Sequence, residues 1–340
     1  MWLNNGMFDS TEQTSSSPVT AKETPGKYRI LVNGKVIGSP DHPDVSQDSL
    51  RTIPDGAVVC DGVGGSQGGE VASRLTADIF ATALGRAAKT PEAIKKAMQY
   101  AAVEAKKQII KARQNQGLRG ADTTVVSAIV LPTDKPDEFE VICGNIGDSQ
   151  AYVLRLDGTL ERISQPHSMV EAQVGAGHIA KEEAFTRVDR NVIYRAVGSE
   201  PEGNKIDTYS VRIRRGEAVV LLSDGVTDNV PERLGDVDSL VDWKTVKTQE
   251  EKTIFDKLGL QISRTGEVSE ESAFVKDKRS NERLPLPALQ GLIGDAISRT
   301  KHQDLRGSAE NVCERVLQLM YADTAFAKPD DISCAIIMPT

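Results

Sequence analysis

Two stretches constrain this chain more than any others: "VVCDG" at 58–62 and "VVLLSDG" at 219–225. Each runs from unbroken apolar side chains to an aspartate and then a glycine, with a single serine, Ser223, between in the second. A short apolar run of this kind, closed by turn residues, reads as a buried strand. Asp-Gly is a common turn dipeptide, so a simple turn accounts for either stretch taken alone. The other account holds Asp61 and Asp224 at strand ends to grip a ligand, with the glycines letting that ligand approach the backbone.

Other periodicities fill in around these strands. "TTVVSAIVL", "FEVICGN" and "QAYVLRL" read as consecutive strands, the last two joined by the tight "IGDS" connection, and "DISCAIIM" reads as a closing strand. "YRILVNGKVIG" sets two apolar runs around Asn33-Gly34, which predicts a type I′ hairpin. The spacing in "EVASRLTADIFATALGRA" predicts a helix with Val71, Leu75, Ile79, Ala83 and Leu84 on its apolar face. A second helix follows Thr90, its cap, and Pro91, with Ile94, Met98, Ala101, Ala105 and Ile109 as its stripe. "HSMVEAQVGAG" is also helical in pattern. The last helix spans 308–321, with Ser308 as cap and Val312, Val316, Leu317 and Met320 toward the core. Strands in runs and helices in pairs predict an α+β chain rather than alternating βαβ units.

Residues 1–26, polar and rich in Ser and Thr, read as a flexible tail, and 27–340 as one domain. Within it, residues about 235–305 are charged, with isolated Trp243, Phe255 and Phe274, and read as an insertion whose helix lies in "LPALQGLIGDAISRT". Composition narrows the function. The 340 residues, 39% hydrophobic and 26% charged, suffice for a full core. A net charge of -8 argues against non-specific nucleic-acid binding. No apolar run reaches the roughly 18 residues of a membrane helix, and "MWLNNGMFDS" lacks the regions of a signal peptide, so a cytoplasmic location is expected. Cys60, Cys143, Cys313 and Cys334 have no CxxC spacing and read as buried free thiols rather than a zinc site.

The acids carry the chemistry. Besides Asp61 and Asp224, Asp148 sits in the "GDS" bend, Asp330 and Asp331 open the final strand, and Asp48 precedes a short strand in "SQDSL". A sheet sets strand ends side by side, so these acids can converge on one edge. Carboxylates that close repel and need cations. An all-oxygen set in a chain with 4 histidines points to a hard cation, Mg²⁺ or Mn²⁺ before Zn²⁺, and to metal-activated water acting on a phosphate ester.

In their order, "SQDSL", "VVCDGVGG", "GADTTVVSAIV", "GNIGDSQAYVLR", "NVIYRAVGSEP", "VVLLSDGVTDNV" and "DDISCAII" resemble the metal-dependent type 2C (PPM) serine/threonine protein phosphatases, in wording nearest the bacterial-type members. The resemblance runs from about 27 to 338, the insertion apart. It implies a four-layer α-β-β-α sandwich with two central, mostly antiparallel sheets. It implies hydrolysis of phosphoserine and phosphothreonine on proteins by a hydroxide bridging two divalent metals, Mg²⁺ or Mn²⁺. Asp61 and Asp224 would carry the catalysis. Asp61 would bridge the metals and the carbonyl of Gly62 would bind one of them. Asp48 would hold a metal through water, and Asp224 and Asp330, rather than Asp331, would complete the other shell. Asp148 and Asp228 match a third, weaker metal site found in many members. Gly64 and Gly65 would keep side chains away from the metals, and Ser66, Ser149 and Ser223 would be structural. Residues 168–190 match a mobile flap, with Gly175 and Gly177 suited to a hinge.

The chain departs from the family at three places. Pro43 stands where members carry an arginine that contacts the substrate phosphate, so either another cation such as Arg51 or Arg195 supplies the charge or phosphate affinity is weaker. Val63 stands where eukaryotic members have a histidine, so water would protonate the leaving group. His167, in "PHS", reads as a packing or loop-anchoring residue rather than a catalyst. The implied partners are phosphorylated proteins and an opposing Ser/Thr kinase, with no nucleic acid or membrane, and a monomer is expected. Two alternatives stay open: a pseudophosphatase or phosphoprotein-binding regulator with little turnover, and a partner-switching phosphatase that resets anti-sigma antagonists.

Overall fold

Alternate side chains of the central strands enter different cores, which is why those strands lack polar alternation. In β4 (Gly56–Cys60), Ala57 and Val59 join one cluster and Val58 and Cys60 another. In β12 (Ala218–Leu222), Val219 and Leu221 join the first of these, while Val220 and Leu222 enter a third. Two sheets back to back, each covered outside by helices, produce this pattern.

The computed structural model describes residues 20–24, 28–63, 68–118, 120–185, 187–199, 204–234, 242–245, 271–299, 305–324 and 326–340. One sheet runs β1 (Thr20–Thr24), β2 (Tyr28–Ile37), β16 (Ile332–Pro339), β12, β9 (Gln150–Leu154), β10 (Leu160–Arg162). The other runs β11 (Asp207–Arg214), β8 (Glu138–Ile146), β7 (Val125–Pro132), β4, β3 (Ser49–Ile53). Their neighbouring strands are antiparallel throughout, and β5 (Gly62–Val63) and β6 (Asp122–Thr123) form a separate antiparallel pair. The inner faces meet through Val32, Val59, Val126, Val141, Leu221 and Ile337. Helices α1 (Gly69–Arg86) and α2 (Pro91–Gln116) cover the five-stranded sheet. Helices α6 (Leu289–Ser298) and α7 (Ser308–Leu319) cover the six-stranded one, which completes the α-β-β-α order.

Helix α2 follows its sequence: Thr90 accepts from the Ala93 N–H (3.3 Å), and Ile94, Met98, Ala101, Ala105 and Ile109 are fully buried. Three other readings are corrected. Asn33-Gly34 is no hairpin, because β2 runs straight through it, paired residue for residue with β16. Asn33 instead accepts from the Ala309 N–H (3.0 Å) at the start of α7, and a Cβ on Gly34 would stand 2.6 Å from the Leu50 side chain. With Asn33 there, α7 needs no cap from Ser308, which is its first residue. The buried face of α1 is Ala72, Ser73, Thr76, Ala77, Phe80 and Leu84, turned by about one position from the expected stripe. Small side chains let the helix lie close to the sheet, and Ser73 donates to the Gln47 carbonyl (2.5 Å).

Residues 20–24 of the stretch read as a tail form β1, paired with β2 from Thr20↔Val32 to Thr24↔Tyr28, while 1–19 lie outside the described residues. Within the stretch read as an insertion, β13 (Asp242–Thr245), β14 (Glu271–Lys276) and β15 (Arg283–Pro285) form an antiparallel sheet, and α6 lies beside α7. Ala273, Phe274, Leu286 and Ile293 share a core with Val220 and Ile336, so this part is built into the outer layer. Phe255 lies outside the described residues.

Candidate active site

The antiparallel pairing of β12 with β16 brings Asp224 beside Asp330 and Asp331. Ser223 carries the ladder one step past the strand: its N–H donates to the Ser333 carbonyl (3.1 Å), and its hydroxyl accepts from the Ser333 N–H (2.9 Å). The chain then turns into the short helix α5 (Asp224–Thr227). A Cβ on Gly225 would stand 1.9 Å from the Asp331 carbonyl, so this Asp-Gly is there because two backbones touch.

At the other strand end, Asp61 is held by its backbone. Its N–H donates to the Thr124 hydroxyl (3.0 Å), and its carbonyl accepts from the Thr124 N–H (2.8 Å) and the Thr123 hydroxyl (2.7 Å). A Cβ on Gly62 would lie 2.6 Å from Gly69 and 2.7 Å from the Gln47 carbonyl, so close packing again explains the glycine. Gly64, Gly65 and Ser66 lie outside the described residues.

Asp48 is buried at the mouth of β3, and Asp331 fixes the loop before it, accepting from the Ser39 N–H (2.7 Å) and the Gln47 N–H (2.6 Å). Asp148 sits in the bend after β8, which buried His167 pins. His167 Nδ1 accepts from the Gly147 N–H (2.9 Å), so Nε2 carries the proton and donates to Asp207 (2.9 Å). Burial holds the imidazole below its ordinary pKa, in keeping with a neutral anchor.

Asp48, Asp61, Asp148, Asp224, Asp228 and Asp330 thus come within electrostatic reach of one another. Burial pushes the Asp61 carboxyl well up, and the charges of Asp48, Asp224 and Asp330 add to it. Burial and then Asp331 do the same to Asp48, and burial with Asp224 and Asp228 to Asp148. Burial and Asp224 raise Asp228 to about 6 and Asp330 to about 7. Asp224 is the exception: burial is the largest influence and works upward there too, but the Lys328 ammonium and a hydrogen bond from Asp61 together hold the carboxyl low.

Lys328 is the site residue that sequence reasoning missed. Its Nζ lies 3.1 Å from Asp224, 3.3 Å from Asp228 and 2.5 Å from Asp330. The available signal was a lysine two residues before Asp330, in "AKPDD". The substitutes named for the missing arginine are engaged elsewhere: Arg51 with Asp78 (2.7 Å) and Arg195 with Asp207 (2.6 Å). Arg190 does approach, its Nε 3.9 Å from Asp228. Its other nitrogens bind carbonyls, Nη2 donating to Phe326 at 2.7 Å.

Beside the acids lies a cavity of about 80 Å³, lined by Asp148, Asp224, Asp228 and Arg190 and walled by Ser168 and Phe185. That wall is the 168–190 segment, which contains α3 (Met169–Gly175) and α4 (Lys181–Ala184). Ser168 caps α3 by accepting from the Glu171 N–H (3.3 Å), and Phe185 meets Phe326 edge-on at 5.9 Å.

The donors suit a hard divalent cation. They are all oxygens, and both carboxylate oxygens of Asp48 and Oδ1 of Asp224 are buried with no hydrogen-bond partner. Among the described residues, however, no three His, Cys, Asp or Glu side chains already stand as a closed ligand set. Asp224, Asp228 and Asp330 instead gather around an ammonium.

Comparison with known proteins gives a consistent picture. A family model for protein phosphatase 2C matches residues 43–284. The serine/threonine phosphatase stp of Listeria welshimeri is 33% identical over 178 residues, covering 52% of this chain and 68% of that protein. The serine/threonine protein phosphatase PstP of Mycobacterium tuberculosis is 33% identical over 189 residues, covering 54% of this chain and 34% of that protein. Among solved structures, the S. agalactiae serine/threonine phosphatase superposes with a TM-score of 0.63 at 16% identity, covering 91% of this chain and 99% of that one. The catalytic domain of PstP, in complex with two manganese ions, superposes with a TM-score of 0.57 at 20% identity, covering 92% and 98%.

Proposed function

Given that this chain belongs to the protein phosphatase 2C family, we propose that it hydrolyses phosphoserine and phosphothreonine on proteins with the help of divalent metal ions. The observation that carries this reading is the meeting of Asp48, Asp61, Asp148, Asp224, Asp228 and Asp330 at one end of the sandwich, with buried oxygens left unpaired. Asp61, the carbonyl of Gly62, Asp48, Asp224 and Asp330 would hold two ions, Mg²⁺ or Mn²⁺, and Asp148 and Asp228 a third. Ions there supply positive charge to the phosphoryl oxygens and make water a better nucleophile.

The rest of the site positions these groups. Thr123 and Thr124 fix Asp61, His167 fixes the Asp148 bend, and Asp331 fixes the loop bearing Asp48. Both Asp331 oxygens are taken by backbone N–H groups of the Asp48 loop, whereas Asp330 accepts one backbone N–H, that of Asp331 (2.9 Å), and turns its other oxygen to Lys328 in the cluster, which favours Asp330 as the ligand. Hydroxyls near the acids are engaged structurally: Ser149 with Thr124 (2.7 Å) and Ser223 with the Ser333 N–H (2.9 Å). With valine at position 63, the leaving alkoxide takes its proton from water. We further assign the chain a place in phosphorylation signalling, opposite a Ser/Thr kinase, as a cytoplasmic monomer. Among the described residues, no helix is long and apolar enough to cross a membrane.

A second reading, binding of phosphoproteins with little turnover, draws on the exposed Pro43 in place of an arginine and on Arg51 and Arg195 being paired elsewhere. Phosphate release from a phosphothreonine peptide separates the two. Mn²⁺-dependent turnover in the wild type, lost in Asp61→Asn, is the expected result. A protein that binds Mn²⁺ and releases no phosphate would sink the enzymatic reading in favour of the second.

A further inference from the structure

We propose that Lys328 is a positioning residue that draws Asp224, Asp228 and Asp330 together before a divalent ion arrives, and that the ion must displace its ammonium. The inference rests on the reading of these acids as a metal centre and adds a residue to it.

The first support is how the lysine is mounted. Its N–H donates to Asn229 Oδ1 (2.8 Å), and its carbonyl accepts from Asn229 Nδ2 (2.9 Å). The same Nδ2 donates to the Gly225 carbonyl (2.9 Å), and Asn229 is buried. The backbone of Lys328 is therefore clamped to the turn that carries Asp224 and Asp228. A surface lysine that strayed into the cluster would have no such mount.

The second support is the match between the head group and its surroundings. An ammonium is a compact point charge with three donors, and here it meets three carboxylates at 2.5, 3.1 and 3.3 Å. The third is what it leaves undone. One positive charge cannot neutralise six carboxylates, and both oxygens of Asp48 and Oδ1 of Asp224 stay without a hydrogen-bond partner. The ammonium keeps part of the ligand set from flying apart, yet leaves demand for cations of higher charge.

An ion bound by Asp224 and Asp330 removes the partners of Nζ and adds like charge beside it, so the two cations compete. The lysine's flexible stem lets the head group leave while the Asn229 clamp holds the backbone. Divalent affinity is thereby lower than the acids alone would give, in exchange for a site that stays assembled without metal.

Calorimetric titration of Mn²⁺ into the full chain, wild type against Lys328→Met and Lys328→Arg, tests this, together with thermal melting in chelator and in saturating Mn²⁺. Lys328→Met is expected to bind Mn²⁺ about tenfold more tightly or better, and Lys328→Arg, which keeps the charge, to stay near the wild type. In chelator Lys328→Met should melt below the wild type, and in Mn²⁺ the gap should close. Equal or weaker Mn²⁺ binding by Lys328→Met would overturn the inference while leaving the metal centre intact. No Mn²⁺ binding by any of the proteins would overturn the metal centre itself, and the inference with it. Lys328→Gln repeats the comparison with a neutral polar side chain if the methionine variant does not fold.

Discussion

Asp61 and Asp224 stand at the ends of two strands with nearly the same local sequence, apolar residues and then Asp-Gly, yet they live under opposite electrostatics. The Asp61 carboxyl is pushed well up by burial and by neighbouring acids, with no cation in its immediate set. The Asp224 carboxyl is held low against its own burial, first by Lys328 beside it and then by a hydrogen bond from Asp61. The supports differ as well: Asp61 is held from the five-stranded sheet by Thr123 and Thr124, Asp224 from the six-stranded sheet by Ser223, Ser333 and the Gly225 contact. One half of the centre therefore carries an internal counter-charge and the other does not. Local sequence specified a strand end with an acid on it, and the neighbours decided what that acid costs.

The largest effects should fall where the two halves are alike. Asp61→Asn and Asp224→Asn are each expected to lower Mn²⁺-dependent phosphate release by about a hundredfold or more, since under the proposed function each would remove a charged ligand. If one variant keeps near wild-type turnover with Mn²⁺, the two strand ends do not serve one centre.

The same pair should diverge in stability without metal. Asp61→Asn removes a repelled charge and is expected to raise the melting temperature in chelator. Asp224→Asn strips Lys328 of a partner and is expected to lower it. Each shift should be of order a few degrees, at about 1–2 °C for every kcal/mol in a chain of this size. Shifts of the same sign would break the comparison.

Thr124→Val tests the Asp61 side through a residue that touches no ion. It removes the acceptor for the Asp61 N–H and the partner of Ser149, and turnover should fall about tenfold while Mn²⁺ binding weakens less. Unchanged turnover would mean that the strand end is held without it.

The smallest effect concerns the Asp148 bend. His167 has a folded pKa below its ordinary 6.5, so the unfolded chain binds the extra proton first. Its contribution to stability is complete above that value and is lost as the pH falls through it. Melting of the wild type and of His167→Asn should therefore converge as the pH is lowered from 7.5 toward 5.5. A gap independent of pH would show that the ring acts by packing alone, against Tyr194 at 5.5 Å.

Much of the frame was legible in the chain. Unbroken apolar strands, the Thr90-Pro91 helix start and acids at strand ends are short-range features, each decided within a few residues. Asn33-Gly34 was misread because a turn dipeptide becomes ordinary strand when a long partner strand pairs straight across it, as β16 does, and Gly34 is required by Leu50, a residue of another sheet. The α1 face was misread because apolar size was taken as the guide to burial, whereas close helix-sheet contact selects Ala72, Ser73, Thr76 and Ala77. Arg51 and Arg195 were the wrong cations to watch for a related reason: a charge is committed by whichever opposite charge lies within about 4 Å, and distance along the chain says nothing of that.

The sequence by itself thus determined which strands are buried, where they end and that their ends are acidic, because apolar periodicity and turn chemistry act over a handful of residues. Tertiary structure alone decided that those ends share one edge, that Lys328 stands among them and that Asp331 holds a loop while its neighbour faces the cluster. Coulomb energies depend on separation in space and on burial, and both exist only once the two sheets have closed on each other.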